Sequence, residues 1–215
     1  MKIALLVEGS TKHHAREVWE VLSEFSQHEC YHVGMRDEEG EETLTFVHTS
    51  MMAGILLNVK AVDFVIGGCG TGQGFLNGAL AFPNVFCGLI YDPLEAWLFM
   101  QVNAGNCISL PMNRGWGLAG KEQIHLILNQ AFSAPFGGGY PPERAGLIRS
   151  MHEMLYNQSN AFRKSFVEII PLLDRDMLMT ALNMQGVKSL IDTAPESEEK
   201  SIVLNLYSGQ EIGKM

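Results

Sequence analysis

The sequence predicts an α/β protein with a five-stranded parallel β-sheet that helices cover on both faces. Five apolar runs of strand length recur along the first half of the chain, and longer stretches with helical spacing separate them. Strand–helix alternation repeated in this way is typical of a parallel sheet between two helical layers. The predicted strands are Ile3–Val7, Tyr31–Met35, Val62–Ile66, Val85–Ile90 and Cys107–Leu110.

Apolar residues at three- and four-residue spacing predict helices after the first two strands. A helix after the third strand is expected to begin near Phe75. Asp92 followed by Pro93 is an N-cap acid with proline at the first helical position, so we predict a helix over Pro93–Val102, and another over Lys121–Phe132. The apolar stripe of the first helix consists of Val18, Leu22 and Phe25. That of the second helix consists of Met52, Ile55, Leu56 and Val59.

A change of composition divides the chain near residue 148. The segment Pro135–Pro142 contains three glycines and three prolines, which break helices and strands alike. We therefore predict an α/β domain over residues 1–148 and a mostly helical extension over residues 149–215. The region beyond the break is expected to contain helices at Leu147–Tyr156, Ala161–Ile170 and Asp176–Leu182, and a last apolar run at Ile202–Leu206.

The overall composition argues against several classes of protein. Lys and Arg number 15 against 24 Asp and Glu, and the resulting net charge of −9 argues against a nucleic-acid-binding surface. No apolar run approaches the length that crosses a bilayer, and the N-terminal run is too short for a signal peptide. Four cysteines without paired spacing indicate reduced thiols. We expect a cytoplasmic protein that binds small molecules.

A glycine-rich loop after the third predicted strand is the leading candidate for a functional site. Five of the eight residues from Gly67 to Gly74 are glycines, and the other three are Cys69, Thr71 and Gln73. Glycine lets backbone N–H groups approach a bound anion closely, and so many glycines cost too much backbone entropy for a simple turn. A thiol at the start of the following helix favours the thiolate form.

The loop departs from two well-known phosphate-binding patterns. A P-loop requires lysine and then a hydroxyl residue after the last glycine, where this chain has Phe75 and Leu76. A dinucleotide fingerprint that starts at Gly72 requires its third glycine at Asn77, and the loop follows the third strand rather than the first. Asp92 stands near the distance expected of a ribose-binding acid, so a nucleotide-binding oxidoreductase stays open as an alternative.

Three chemical roles are open to Cys69. Its thiolate can take a proton from a carbon next to a carbonyl, while loop N–H groups and the Thr71 hydroxyl stabilise the oxyanion. It can also act as a covalent nucleophile or as a redox thiol. A redox pair needs a resolving cysteine nearby in sequence, and the loop has none.

One alternating run near the second strand has the spacing of a metal site. His28, Cys30 and His32 would share one face of a strand, which suits a transition metal. No fourth ligand or carboxylate partner is evident in the sequence. The favoured interpretation is a polar fringe at the end of a strand, and no metal is predicted.

The loop and several other segments resemble one enzyme family. Gly68–Gly74 is similar to the cysteine-containing signature of the ribose-5-phosphate isomerase B and galactose-6-phosphate isomerase family. Ile90–Ala96 resembles the family's segment after its fourth strand, and Phe136–Gly139 followed by Arg144 resembles its stretch near the C-terminus. Met1–Leu5 is similar to its opening. The resemblance covers residues 1 to about 150 and leaves the extension unexplained.

The resemblance implies a Rossmann-like three-layer α/β/α sandwich that forms a homodimer, or a dimer of dimers, with sites at the subunit interface. It also implies cofactor-free aldose–ketose isomerisation of a phosphorylated sugar, of ribose-5-phosphate or galactose-6-phosphate type, through an enediolate. Cys69 would be the general base. The other implied site residues are Thr71, Gly70, Gly72, Gln73 and Gly74 around the enediolate, Glu8 on sugar hydroxyls, Asn103 on the substrate and Arg144 on its phosphate.

Several positions depart from the pattern of that family. Gly9 and Val102 stand where the family has histidines, and the second of these histidines is credited with ring opening. Tyr140 replaces a phosphate-binding arginine, and Phe46 replaces a tyrosine. Loss of a bidentate arginine–phosphate pair removes strong charge-assisted bonding. A non-catalytic or regulatory sugar-phosphate-binding protein that kept the fold is therefore the alternative to the isomerase.

Overall fold

The computed structural model describes residues 1–208 and contains one five-stranded sheet in which every neighbouring pair is parallel. The strand order is β2-β1-β3-β5-β4, and helices lie on both faces. The predicted α/β class and the Rossmann-like layering are confirmed. The strands are β1 (Lys2–Leu6), β2 (Glu29–His32), β3 (Phe64–Cys69), β4 (Cys87–Leu89) and β5 (Cys107–Pro111).

Three strand boundaries differ from the prediction for identifiable reasons. β2 begins two residues earlier than predicted, and the apolar residue Met35 lies beyond its end, where its N–H donates to the carbonyl of Val7. β3 runs on to Cys69 because its glycines continue to pair with β5. β4 is a short edge strand, because Phe86 donates its N–H to the Asn106 side chain instead of a strand neighbour.

The two helical layers form two separate cores on the sheet. On one face α1 (Ala15–Ser23), α4 (Pro93–Leu98) and α5 (Trp116–Ala131) cover one apolar cluster. On the other face α2 (Phe46–Asn58) and α3 (Gln73–Leu80) cover a second cluster. The helices α1 to α4 each connect one strand to the next strand in sequence. Parallel strands require crossover connections of this kind.

The fourth helix is shorter than the predicted helix over Pro93–Val102. Asp92 caps α4 by accepting a hydrogen bond from the N–H of Glu95, as the Asp-Pro sequence predicts. The regular helix ends at Leu98, and one π-helical turn, Phe99–Asn103, continues it. The turn ends at Ala104, which has a φ of 47°. Gly137 and Gly139, in the glycine-rich segment after Pro135, donate their N–H groups to carbonyls of this turn.

Between Ala145 and Ser208, the described part of the C-terminal region contains one long α-helix and four short ones. The prediction of separate helices over Leu147–Tyr156 and Ala161–Ile170 is wrong, because α6 runs unbroken from Ala145 to Phe162. The predicted domain boundary at residue 148 falls inside this helix, and residues 209–215 of the predicted extension lie outside the described residues. The later helices are α7 (Phe166–Ile169), a 3₁₀ turn (Ile170–Leu172), α8 (Arg175–Leu182), α9 (Val187–Asp192) and α10 (Glu198–Tyr207).

Helix α2 is buried on both sides. Every residue from His48 to Asn58 is buried, because one side of the helix packs on the sheet and the other packs on α8 and its neighbours. The sequence predicts a single apolar stripe on this helix, but α2 is apolar almost all round because both of its sides are buried. The extension residues that join this core include Leu178, Leu182, Leu190 and Val203.

A buried lysine fixes the end of α9. Lys200 is 5% exposed, and its ammonium donates to the carbonyls of Asp192 and Ala194 and to the Glu196 carboxylate at 3.0, 2.8 and 2.7 Å. A cation here satisfies carbonyl groups that a helix leaves without partners at its C-terminus. Lys200 therefore ties α10 to the end of α9.

Candidate active site

The order of the strands makes a crevice between β1 and β3. From β1 the chain moves to β2 on one side, and from β3 it moves to β5 and β4 on the other side. In open α/β sheets ligands bind outside the carboxyl ends of the strands at such a switch point. Glu8 follows β1 and Cys69 ends β3, so these two predicted site residues come together there.

The Cys69 loop turns sharply into α3. Gly72 has a φ of 76° and caps the helix, and its N–H donates to the carbonyl of Cys69 at 3.1 Å. This left-handed conformation favours glycine. The Thr71 hydroxyl accepts a hydrogen bond from the N–H of Gln73 at 3.3 Å and lies 4.0 Å from the sulfur of Cys69. Cys69 is 7% exposed, and Thr71 and Gln73 are exposed.

The end of β5 holds this loop in place. The buried Ser109 hydroxyl donates to the carbonyl of Gly72 at 2.6 Å. The N–H groups of Met112 and Asn113 donate to the carbonyls of Cys69 and Gly70 at 3.0 and 3.1 Å. Residues at the end of β5 therefore donate hydrogen bonds to three carbonyls of the loop, and these bonds orient the loop before any ligand binds.

Glu8 lies on the opposite wall of the crevice and is 4% exposed. One carboxylate oxygen accepts the N–H of Ser10 at 3.0 Å, and the other accepts the hydroxyl of Ser10. The side chain of Asn113 donates to the carbonyl of Ser10 at 3.1 Å. A Cβ on Gly70 would stand 3.6 Å from the Ser10 hydroxyl oxygen and 3.0 Å from Nδ2 of Asn113. The β1, β3 and β5 loops thus meet at one point.

The loops that contain Ser10 and Asn113 follow predicted strands, so the sequence places both at the carboxyl edge of the sheet, where ligands gather. Both are exposed polar residues at that edge in the structure. The sequence assigned neither a role at the site, because neither belongs to a recognisable motif. Gly74 was predicted to lie at the site, and the ring of Phe46 covers it at 3.0 Å from where a Cβ would stand.

Asn103 and Arg144 lie elsewhere in the chain. Both line a cavity of about 500 Å³ together with Leu80, Cys87 and Gly105. Cys87 pairs with Cys107 at the start of β5, whereas Cys69 pairs with Pro111 at its end. Four strand steps of about 3.3 Å separate these two ends, roughly 13 Å. The cavity is therefore at the amino edge of the sheet, and a single chain does not bring Arg144 and Cys69 into one site.

Three of the positions that depart from the family pattern contact other parts of the chain. The N–H of Gly9 donates to the carbonyl of Leu44, and a Cβ on Gly9 would stand 3.0 Å from that oxygen, so a histidine would require the Leu44 backbone to shift by a few tenths of an ångström. The carbonyl of Val102 is hydrogen-bonded to the ring of His152 on α6. Tyr140 packs edge-on against Trp97, with 5.0 Å between the ring centroids.

Three histidines are held in place by contacts with their neighbours. His14 stacks on Trp116 at 3.7 Å, and burial lowers its pKa. His32 is hydrogen-bonded to the carbonyl of Met35, and burial, reinforced by Arg36, lowers its pKa to about 4. His28 packs against Phe132, so the alternating run does not converge on one point. Residues 1–208 contain no cluster of three His, Cys, Asp or Glu that could hold a metal ion.

Within the same described residues, no helix is long and apolar enough to cross a bilayer.

Comparisons with known proteins find isomerases that share the fold of this chain. The family model for ribose/galactose isomerases matches residues 3–148. A 4-deoxy-L-threo-5-hexosulose-uronate ketol-isomerase, solved with tartrate, is 31% identical and has a TM-score of 0.91, and the match covers 97% of this chain and 100% of that chain. A ribose-5-phosphate isomerase from Vibrio parahaemolyticus is 38% identical with a TM-score of 0.90, over 96% of this chain and 99% of that chain.

Other solved structures match a smaller share of the chain. A type B ribose 5-phosphate isomerase from Trypanosoma cruzi is 17% identical with a TM-score of 0.63, and the match covers 75% of this chain and 99% of that chain. At this identity the likeness shows the fold alone. About a quarter of this chain therefore has no counterpart in that shorter protein, whereas the two relatives above match nearly all of it. The curated proteins compared with the chain gave no match.

Proposed function

The chain belongs to the ribose/galactose isomerase family, whose members named above are isomerases, and from this premise we propose that it interconverts an aldose and a ketose through an enediolate without a cofactor. The observation that carries the proposal is the position of the Cys69 thiol. It lies at the sheet's switch point, beside the Thr71 hydroxyl and a loop whose carbonyls are bonded from behind. This arrangement supports the proposal, because enolisation requires a base and oxyanion donors that are positioned before the substrate arrives.

The proton transfers follow from this arrangement. The Cys69 thiolate removes the proton from C2 of the open-chain aldose, and the electron pair of that C–H bond forms the C1–C2 double bond of the enediolate. The negative charge on oxygen is stabilised by the Thr71 hydroxyl and by N–H groups between Gly70 and Gly74. The thiol then returns the proton to C1, the proton of the C2 hydroxyl passes to the C1 oxygen, and C2 becomes the ketone carbonyl. Protons and electrons balance without another reactant.

We propose a phosphorylated sugar of ribose-5-phosphate or galactose-6-phosphate type as the substrate. The relative from Vibrio parahaemolyticus supports this choice, since it is named a ribose-5-phosphate isomerase. Arg144 would bind the phosphate and Asn103 the sugar. The four unpaired cysteines support a reducing compartment, and we therefore propose that the reaction takes place in the cytoplasm.

A homodimer would bring the separated residues together. In one chain Arg144 and Cys69 lie at opposite edges of the sheet, so a site that uses both needs two chains. Helix α6 supports the dimer, because it borders the Arg144 cavity and leaves a helical stripe of apolar side chains exposed. The stripe consists of Leu147, Met151, Met154, Leu155 and Phe162.

Mixing two inactive variants tests this arrangement. C69A and R144A are each expected to be nearly inactive at limiting substrate. If each site takes Cys69 from one chain and Arg144 from the other, half of the re-formed dimers carry both variants and each of these has one intact site. Activity should then recover to about a quarter of the wild-type value. Recovery should not occur if both residues act within one chain.

A hexosulose uronate is the second candidate substrate. The uronate ketol-isomerase matches nearly the whole chain at 31% identity. Tyr140 stands where the family has a phosphate-binding arginine, and it packs against Trp97 rather than offering a charge. A carboxylate needs fewer charge-assisted bonds than a phosphate dianion.

Exchange of substrate protons with deuterated water tests the function and separates the candidates. The panel consists of ribose 5-phosphate, galactose 6-phosphate and 4-deoxy-L-threo-5-hexosulose uronate. Deuterium should enter C2 of an aldose substrate, or C1 of a ketose substrate, with wild-type protein and not with C69A. The matched control is C30A, which removes a thiol far from the loop.

Each alternative has its own outcome in this assay. Exchange with the uronate alone would select the second candidate. A panel compound that raises the melting temperature without exchange would indicate the non-catalytic sugar-phosphate-binding protein. Undiminished exchange in C69A would rule out Cys69 as the base.

A further inference from the structure

The aldose must be open before Cys69 can act, and the structure places a hydroxyl–carboxylate pair beside the loop that carries this thiol. Pentose and hexose phosphates exist in solution mainly as rings, in which C1 is bonded to the ring oxygen. Opening requires a group that takes the proton of the C1 hydroxyl. The family's histidine positions hold Gly9 and Val102 here, and neither side chain can exchange a proton.

We propose that Ser10 is the catalytic residue that contacts the C1 hydroxyl and relays its proton to Glu8. This inference rests on the proposed function and assigns the ring-opening step to a different pair of residues from those that enolise the sugar.

Burial distinguishes the roles of the two side chains. Glu8 is 4% exposed, and both of its carboxylate oxygens accept hydrogen bonds from Ser10. Ser10 itself is exposed. The Ser10 hydroxyl is therefore the part of the pair that a ligand can reach. Glu8 acts through Ser10 rather than by direct contact with sugar hydroxyls.

The position of the hydroxyl identifies the atom of the sugar that it faces. Its oxygen lies 3.6 Å from where a Cβ on Gly70 would stand, and Gly70 is the residue next to Cys69. The C1–C2 unit must lie against this loop for Cys69 to move a proton between those carbons. Ser10 is therefore adjacent to the reacting end of the sugar, where the ring opens, and far from the phosphate end.

The backbone of Ser10 is fixed independently of its side chain. The Asn113 side chain donates to the Ser10 carbonyl at 3.1 Å, and the Thr11 hydroxyl donates to the Glu8 carbonyl at 3.1 Å. A short helix, Gly9–His14, carries Ser10 out of the end of β1. The pair is preorganised, as proton transfer to a positioned side chain requires.

The step balances as follows. The Ser10 oxygen takes the proton of the C1 hydroxyl as its own proton passes to Glu8. The C1–O bond to the ring oxygen breaks, its electron pair stays on that oxygen, and C1 becomes a carbonyl. The ring oxygen takes a proton from water. Glu8 returns its proton through Ser10 to solvent, so the pair is regenerated.

The experiment compares a sugar that must open with one that is already open. Ribose 5-phosphate is a ring in solution, whereas ribulose 5-phosphate is acyclic because the oxygen that would close its ring carries the phosphate. We expect S10A to slow conversion of ribose 5-phosphate by about 100-fold or more, the range of general acid–base catalysis. Exchange of the C1 proton of ribulose 5-phosphate with deuterated water should stay within about threefold of wild type, since Cys69 is intact.

Further variants separate the relay from a structural effect. S10T keeps a hydroxyl and should retain most of the conversion of ribose 5-phosphate. E8Q should behave like S10A, with a lower kcat on the ring form and normal exchange on the open ketose. S133A is the matched control, because the Ser133 hydroxyl lies at the end of α5 and donates to the carbonyl of Gln130.

Three outcomes would overturn the inference. Full conversion of ribose 5-phosphate by S10A would exclude a role for the hydroxyl. Equal losses with both sugars would place Ser10 in enolisation or in folding instead of ring opening. Absence of exchange with both sugars in the wild-type protein would refute the proposed function itself for pentose phosphates, and the inference would fall with it.

Discussion

Replacing Gly72 by alanine should damage both stability and catalysis, because two separate costs meet at this residue. Its φ of 76° lies in the left-handed region, which costs an L-residue roughly 1–2 kcal/mol. A Cβ would also stand 2.5 Å from a methyl group of Leu89 and 3.2 Å from the backbone nitrogen of Pro111. The methyl can move, but the backbone cannot, and overpacking of this kind adds about 1–3 kcal/mol.

Gly186 offers a matched control for this substitution. It has a φ of 85° and also precedes a helix, but a Cβ there would meet its nearest neighbour, Val33, at an ordinary 3.4 Å. G186A should therefore show the conformational cost alone, about 1–2 kcal/mol. G72A should unfold at lower urea concentration than G186A, and its melting temperature should fall by a further 2–4 °C or so for each additional kcal/mol.

Activity separates the two variants more sharply. G72A moves the loop that carries Cys69 and Thr71, so proton exchange with substrate should fall by about 100-fold, the effect expected of a displacement near 1 Å. G186A should exchange at the wild-type rate. Equal stability of the two variants, or full exchange by G72A, would refute the assignment of Gly72 as the turn that positions the thiol.

Three further predictions concern buried polar groups. K200M should destabilise the fold by about 1–3 kcal/mol in urea titrations, because the buried carbonyl of Ala194 and the part-buried carbonyl of Asp192 lose their donor; wild-type stability would show that solvent replaces the ammonium. S109A should cost about 1 kcal/mol and slow exchange, because the carbonyl of Gly72 loses one of its two donors and keeps only the N–H of Leu76. His32 has a pKa of about 4 in the fold and 6.5 when exposed, so the unfolded chain binds the proton first as the pH falls. Stability should decline between pH 6.5 and 4 by at most about 3 kcal/mol, and H32Q should flatten that slope.

The sheet and the thiol loop were predictable because local signals determine them. Apolar runs such as Ile3–Val7 have strand length whatever their neighbours, and the glycine density around Cys69 exceeds what a simple strand-to-helix turn requires. Helix α6 was predicted incorrectly because its polar stretch Asn157–Asn160 interrupts the apolar pattern. An exposed helix does not need a continuous apolar stripe, so periodicity does not define its length.

The composition of the site was harder to predict, because it depends on topology. A match to separate motifs names Asn103 and Arg144 but does not show at which end of the strands they lie. Both line a cavity beside Cys87 at the start of β4, and this places them at the opposite edge of the sheet from Cys69. The sequence places the loop of Ser10 at the carboxyl edge but gives this residue no role, because its contact with Glu8 is visible only in the structure.

The double burial of α2 has a consequence for the chain as it leaves the ribosome. The helix is complete at Asn58, but the helices that cover its outer side end at Tyr207, about 150 residues later. At roughly 5–20 residues per second the nascent protein spends about 7–30 s with this apolar surface uncovered. We therefore expect this helix to determine how much the nascent chain depends on chaperones. A relative without the covering helices should have a more polar helix at the position of α2.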